Sequence, residues 1–319
     1  MEPMHKRSHI FMLFLATIFW GTTFVAQRIG ADYVGAYTYL ALRSWIAVVF
    51  LTPVVHAFDR FHDRRGTDNR RPRTAADRKR LVLAGVAAGV ALCAASAAQQ
   101  IGVAYTTASK AGFITALYVV LVPVLSIFLG RRPAAHVWGC VGIALAGMYL
   151  LCITGGDFRL QVGDAYELAC ALLFAVEILL VDHFSPLVDG VRLSRMMFLV
   201  VAVLSTALML LLETPTRADI FAALPAIAYA GILSGGVGYT LQILGQEGVN
   251  PSVASLVMSF ESVFSALSGW LVLGERLTGR EMLGAGLMLA AVILAQVERK
   301  QTGGASPAPT VSNAHSEKM

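Results

Sequence analysis

The sequence predicts an all-α membrane protein whose ten transmembrane helices form two inverted five-helix repeats. Three observations predict it: ten apolar stretches fill the chain almost end to end, basic residues gather in alternate connections, and one motif returns in the second half. A helix needs ~20 apolar residues to cross ~30 Å of hydrocarbon. The stretches that meet this are 10–27, 36–56, 81–103, 107–129, 136–153, 163–183, 193–212, 220–243, 251–273 and 280–297. Hydrophobic residues make up 56% of the chain and charged residues 14%, too apolar for a soluble core wrapped in polar faces.

The first stretch follows Lys6 and Arg7, as a secretory signal would. It is longer than a signal's apolar region, lacks a clear A-x-A site and leads straight into another stretch, so it reads as a retained helix. Trp20, Phe24 and Gln27 share one of its faces at i, i+4 and i+7. The second stretch holds Arg43, and the third ends in Gln99 and Gln100. Between them, 57–80 is the one long basic connection. It is read as a solvated loop that sets topology, with contact to anionic lipid as the sharper alternative.

The fourth stretch opens with Lys110 and carries Tyr118; the fifth is Gly/Ala-rich. Glu167 and Glu177 in the sixth lie ten residues apart, about 80° around a helix, so both are expected to border one cavity. The seventh is plainly apolar. The eighth ends in Tyr239 and Gln242, placing amides where Gln99 and Gln100 stand in the first half. In the ninth, Ala254, Met258, Ser265 and Ser268 share the face of Glu261 as a narrow polar seam. The tenth is again Gly/Ala-rich, and the Gly/Ser/Pro-rich tail 301–319 is expected to be disordered and cytoplasmic.

An ionisable side chain at the centre of a span costs ~2.5–3.5 kcal/mol on insertion scales, so each one implies a cavity or a partner. Glu261 is read either as a protonation site or carboxylate for a substrate ammonium, or as a structural cap. Arg43 is read as a carboxylate-binding group, or as the partner of Glu177 or Glu261. Lys110 either snorkels to the outer interface or gates the route. Gln99, Gln242, Trp20, Phe24 and Tyr118 complete the candidate substrate pathway.

Topology follows from charge. With the N-terminus in the cytoplasm, only Arg28, Arg159, Arg217, Arg276 and Arg280 of the 25 Lys and Arg fall in outer connections, and Arg43 and Lys110 fall within spans. The rest lie inside, so both termini are expected in the cytoplasm.

The repeat is visible as "SKAGFITALYVVLVPVLSIFLGRRP" beside "VASLVMSFESVFSALSGWLVLGERL", with Gly130 matching Gly274. Each half (10–153 and 163–297) holds five spans, and an odd number reverses direction across the bilayer. "FWGTTFVAQ" at 19–27, "ASKAGFITALYVVLVPVLS" at 108–126 and "SFESVFSALSGWLVLGERLTGREMLGAGLMLAAV" at 259–292 resemble EamA-type transporters of the drug/metabolite transporter superfamily. The resemblance implies ten helices in two inverted repeats and small-molecule transport, often export of amino acids or other metabolites, across a bacterial inner membrane. Glu261 and Glu275 stand where that family usually has Glu; Ser262 stands where it often has Pro.

Other classes find little support. Cys93, Cys140, Cys152 and Cys170 fall within spans without C-x-x-C spacing, and the histidines lie at span ends or outside. No metal or cofactor is expected, and no G-x-x-x-x-G-K-[ST] loop occurs. The net charge of +5 is an orientation signal, and no nucleic-acid partner is expected. The expected partners are a small-molecule substrate, the lipid bilayer and the proton as coupling ion. The rival readings are a membrane-embedded enzyme acting on lipid or peptide, and a non-transporting scaffold.

Overall fold

The computed structural model of the chain describes residues 3–66, 70–106, 108–152, 162–273 and 278–297. The tail 301–319, Glu275 and the side chains of Lys110 and Cys152 lie outside the described residues. Among those described, every regular element is a helix. Three long helices come first: α1 (Pro3–Ala31), α2 (Ala36–Arg65) and α3 (Ala75–Tyr105). The fourth apolar stretch is divided into α4 (Ala108–Thr115) and α5 (Tyr118–Phe128). Then follow α6 (Ala135–Cys152), α7 (Val162–Phe184) and α8 (Gly190–Leu212). The eighth stretch runs through α9 (Arg217–Tyr229), a π-helical stretch Ala230–Gly238 and α10 (Tyr239–Gln246). The ninth is again divided, into α11 (Pro251–Met258) and α12 (Glu261–Leu273), and α13 (Gly279–Val297) completes the order.

Local sequence sets several of these ends. Thr74 and Asp77 form a reciprocal capping box that starts α3. Asp189 accepts from Arg192 N at the start of α8, and Asn250 with Pro251 starts α11. Gly66, at φ 63°, ends α2 in the left-handed conformation that glycine adopts without strain.

Seven helical segments among the described residues are long and apolar enough to cross a membrane. α6 and α13 contribute shorter apolar runs, Ala135–Leu150 and Met282–Ala295. α7 is long enough but carries Asp164, Glu167, Glu177 and Asp182. The outer surface is apolar, with Phe128, Leu211, Phe221 and Leu271 more than two-thirds exposed, as suits side chains facing lipid. The chain is a multi-pass membrane protein.

The apolar stretches 107–129 and 251–273 are each divided into two helices. Both stretches break by the same pattern of i→i−3 bonds. Leu117 N bonds Ile114 O, Val119 N bonds Ala116 O and Val120 N bonds Leu117 O. In the ninth stretch Phe260 N bonds Val257 O, Ser262 N bonds Ser259 O and Val263 N bonds Phe260 O. The hydroxyls of Ser255, Ser259 and Ser262 each bond a carbonyl three residues back, offering an alternative to the α-helical ladder. The fourth stretch breaks upstream of Pro123, which has no N–H to give.

The most extensive packing pairs α3 with α7, α2 with α8 and α6 with α13, with α3 also along α8 and α1 along α12 and α10. Small residues let backbones meet. A Cβ on Gly147 would stand 2.7 Å from Gly284 O, so α6 and α13 touch backbone to backbone.

Candidate functional site

Helices from both halves of the chain surround a cavity whose envelope is about 460 Å³, including space at its mouth. α1 presents Trp20, Thr23, Phe24 and Gln27 to it, the single face that helical periodicity gives to i, i+3, i+4 and i+7. α2 contributes Arg43, α3 Gln99 and α5 Tyr118. From the second half come Phe174, Glu177 and Ile178 of α7, Ser234 of the π-helical stretch, and Tyr239 and Gln242 of α10. Met258 and Glu261 flank the break between α11 and α12.

Both acidic groups are buried and each meets a neutral donor. Tyr118 Oη donates to Glu261 Oε1 at 3.0 Å, and Gln242 Nε2 donates to Glu177 Oε2 at 3.0 Å. Neither has an ion pair among the described residues. Arg43 is 5% exposed, with its guanidinium 5.9 Å from the centre of the Tyr39 ring. The pairing of Arg43 with Glu177 or Glu261, left open by the sequence, is not formed. Trp20 Nε1, Gln27 Oε1, Arg43 Nε, Glu177 Oε1 and Gln242 Oε1 are buried without a hydrogen-bond partner among the described residues. Such orphans are uncommon in native proteins, because an unpaired buried polar atom costs ~1–3 kcal/mol. Five of the twelve such atoms among the described residues border this cavity, two donors and three acceptors. Trp20 and Tyr239 line it with ring centroids 5.0 Å apart, and Tyr239 also packs edge-on against Phe198 at 5.2 Å.

Glycines make the wall close-fitting. A Cβ on Gly231 would lie 2.7 Å from Arg43 O, and one on Gly238 would lie 2.9 Å from Trp20 Nε1. The π-helical stretch therefore runs directly against α2 and α1. Wider π turns of this kind recur inside helices at functional sites.

Of the residues singled out in the sequence, Glu261, Arg43, Glu177, Gln99, Gln242, Trp20, Phe24 and Tyr118 all border this cavity. The side chain of Lys110 lies outside the described residues. Glu167, expected to share a cavity with Glu177, does not line it. Thr115 Oγ1 donates to Glu167 Oε2 at 2.8 Å, and Gly102 packs against its carboxyl. The polar seam expected on the ninth stretch is also divided. Met258 and Glu261 reach the cavity, whereas Ser265 bonds Ala108 O and Ser268 bonds Gly21 O, joining helices. Sequence reasoning missed Thr23, Phe174, Ile178 and Ser234. For Ser234 a signal exists, since "AGILSGGVG" concentrates glycine within an apolar run.

Comparison with known proteins places this geometry. The model of the EamA-like transporter family matches the chain twice, over residues 7–153 and 161–296. An uncharacterized transporter of Archaeoglobus fulgidus is 30% identical over 284 residues, covering 88% of this chain and 83% of its own. The uncharacterized transporter YwfM of Bacillus subtilis is 28% identical over 180 residues, 54% of this chain and 59% of its own. A protein of known crystal structure shares the fold, with TM-score 0.72 at 18% identity over 93% of this chain and 99% of its own. The chain belongs to the EamA-like transporter family and is a multi-pass membrane transporter.

Proposed function

We propose that the chain is a secondary transporter that moves a small polar metabolite, amino-acid-like or drug-like, by alternating access. The observation that carries this reading is the single cavity where both halves contribute buried ionisable groups that have no ion-pair partner within the described residues. Arg43 and Trp20 offer donors to an anionic or carbonyl group. Glu177, Gln27 and Gln242 offer acceptors to an ammonium or hydroxyl. A substrate with both kinds of group satisfies atoms that the described residues leave unpaired.

The architecture in this reading is ten spans in two inverted five-helix units, 10–153 and 163–297, with the basic connection 57–80 and both termini in the cytoplasm of a bacterial cell. The packing supports it. Exchanging each helix for its counterpart five spans away maps the α3–α7 contact onto α1 with the π-helical stretch and α10. The same exchange maps α1–α12 onto α7 with α4 and α5, and it leaves the α2–α8 and α6–α13 pairs unchanged. The matching breaks before Tyr118 and Glu261 fall within one residue of equivalent places when Gly130 is set against Gly274. Half-helices that begin at a mid-membrane site are a recurring feature of such transporters.

Glu261 and Glu177 are the groups proposed to couple transport to protons, because gaining or losing a proton changes the net charge of a cavity that holds little else that ionises. Export is the proposed direction. The test is counterflow in proteoliposomes loaded with amino acids, amines or drugs. Saturable exchange is expected for at least one compound, lost in Arg43→Ala. In Glu261→Gln, flux driven by a pH gradient is expected to vanish while the protein still elutes as a single species. Exchange of no compound by the folded wild type overturns transport, and unchanged gradient-driven flux in Glu261→Gln removes that residue from coupling.

A further inference from the structure

We infer that Arg70, in the basic connection between α2 and α3, is the bolt of a salt-sensitive gate that closes the cavity toward the face at which the chain begins. The inference rests on the transport reading. Its basis is the way α7 and α10 are stitched together below the cavity. Gln242 and Glu177, one from each helix, are joined at the cavity wall. One turn further along, Gln246 Nε2 donates to Ile178 O at 3.2 Å. Beyond the ends of both helices, Arg70 makes the last stitch. Its Nη1 donates to Ser185 O, just past α7, at 2.9 Å, and its Nη2 pairs with Glu247, just past α10. A path that opens between α7 and α10 has to break this row of stitches, and Arg70 holds its outer end.

The arm that carries Arg70 is itself fixed. Arg71 pairs with Asp59 and Asp63 at the end of α2, and Asp59 also takes Arg192 of α8 at 2.7 Å. Four residues on, Thr74 caps α3. Arg70 stands at φ 54°, the left-handed region, which a residue with a Cβ enters at a cost and holds only where its surroundings require it. A loop that only set topology would need neither that backbone nor a cross-link between two other helix ends.

The outermost stitch also differs in kind from the inner ones. The Arg70 side chain is 42% exposed and that of Glu247 25%, so water and salt reach this pair but not the buried amide bonds. It is the stitch that can open first.

The experiment places a reporter cysteine at Ser234, a cavity residue, after replacing Cys93, Cys140, Cys152 and Cys170 with Ala. Vesicles are sorted by the orientation of an N-terminal tag, and labelling by a membrane-impermeant maleimide is timed from the N-terminal face. Arg70→Ala and Glu247→Lys should each raise the rate about fivefold, the shift that losing one favourable pair gives. The exchange Arg70→Glu with Glu247→Arg should return it toward the parent value, and raised salt should accelerate the parent but not Arg70→Ala. Equal rates in the parent and both single variants, at low and high salt, overturn the gate. Counterflow by the protein without the reporter cysteine separates the two ideas, because exchange there with an unmoved labelling rate in the reporter variants keeps the transporter and loses the bolt.

Discussion

Deleting one oxygen, in Tyr118→Phe, probes the contact between the two helix breaks. The Tyr118 ring is buried and packs in the main core, so its removal is not at issue; only Oη goes. That atom lies 3.0 Å from Glu261 Oε1 and is the one hydrogen-bond donor recorded for this carboxyl among the described residues. Losing a neutral interhelical bond in a bilayer costs ~0.6 kcal/mol on average, whereas stranding a buried acceptor costs ~1–3 kcal/mol. Because nothing else here donates to Glu261, the second figure governs, and a loss of ~1–2 kcal/mol is expected. The assay is reversible unfolding in mixed micelles, run as a double-mutant cycle with Glu261→Met. With the acceptor gone, Tyr118→Phe should cost less than ~0.5 kcal/mol, giving a coupling of ~0.5–2 kcal/mol. A cost that is the same with and without the carboxyl refutes the reasoning, for the oxygen would then matter through something other than this bond.

Further outcomes follow from contacts elsewhere. Glu213 accepts from Tyr37 N, Thr38 N and Thr38 Oγ1 at 2.6–2.9 Å, so Glu213→Ala should destabilise by ~1.5–3 kcal/mol, read by the same unfolding assay. Gly147→Leu should lose ~1–3 kcal/mol or fail to assemble, visible as a lower midpoint and a broadened elution peak, because its Cβ meets a carbonyl oxygen. Thr74→Ala should cost ~0.5–2 kcal/mol through the lost cap and speed amide exchange over the first turn of α3. Arg43→Lys should retain the fold yet fall at least tenfold in counterflow, since a point charge does not reproduce the guanidinium fork.

The parts of this molecule legible in the sequence are those governed by a single helix and its cost in lipid. The apolar stretches follow from length alone. The Trp20–Phe24–Gln27 face follows from periodicity, and Arg43, Glu177 and Glu261 stand out because lipid exposure is too costly for them. What stayed hidden depends on the neighbour. Glu167 and Glu177 sit in the same half of one helix, but Thr115 reaches the first and Gln242 the second, and only the latter borders the cavity. The helix breaks were equally silent. Serine in a span is compatible with a straight helix, so the back-bonding of Ser255, Ser259 and Ser262 becomes visible only once the carbonyls are placed. Most of the described side chains in the basic connection are exposed, as its charge implied, but charge composition does not say which acids lie opposite Arg70, and Glu247 is far away in the chain.

The long contact between α2 and α8 is fastened at three levels. Glu213 holds the N-terminus of α2, Trp45 Nε1 donates to Thr206 Oγ1 at 3.0 Å part-way along, and Asp59 takes Arg192 at the far end. Two rods tied at top, middle and bottom cannot slide or splay. Under the proposed alternating access they would travel as a single strut, and the rocking would be borne by the helices around them.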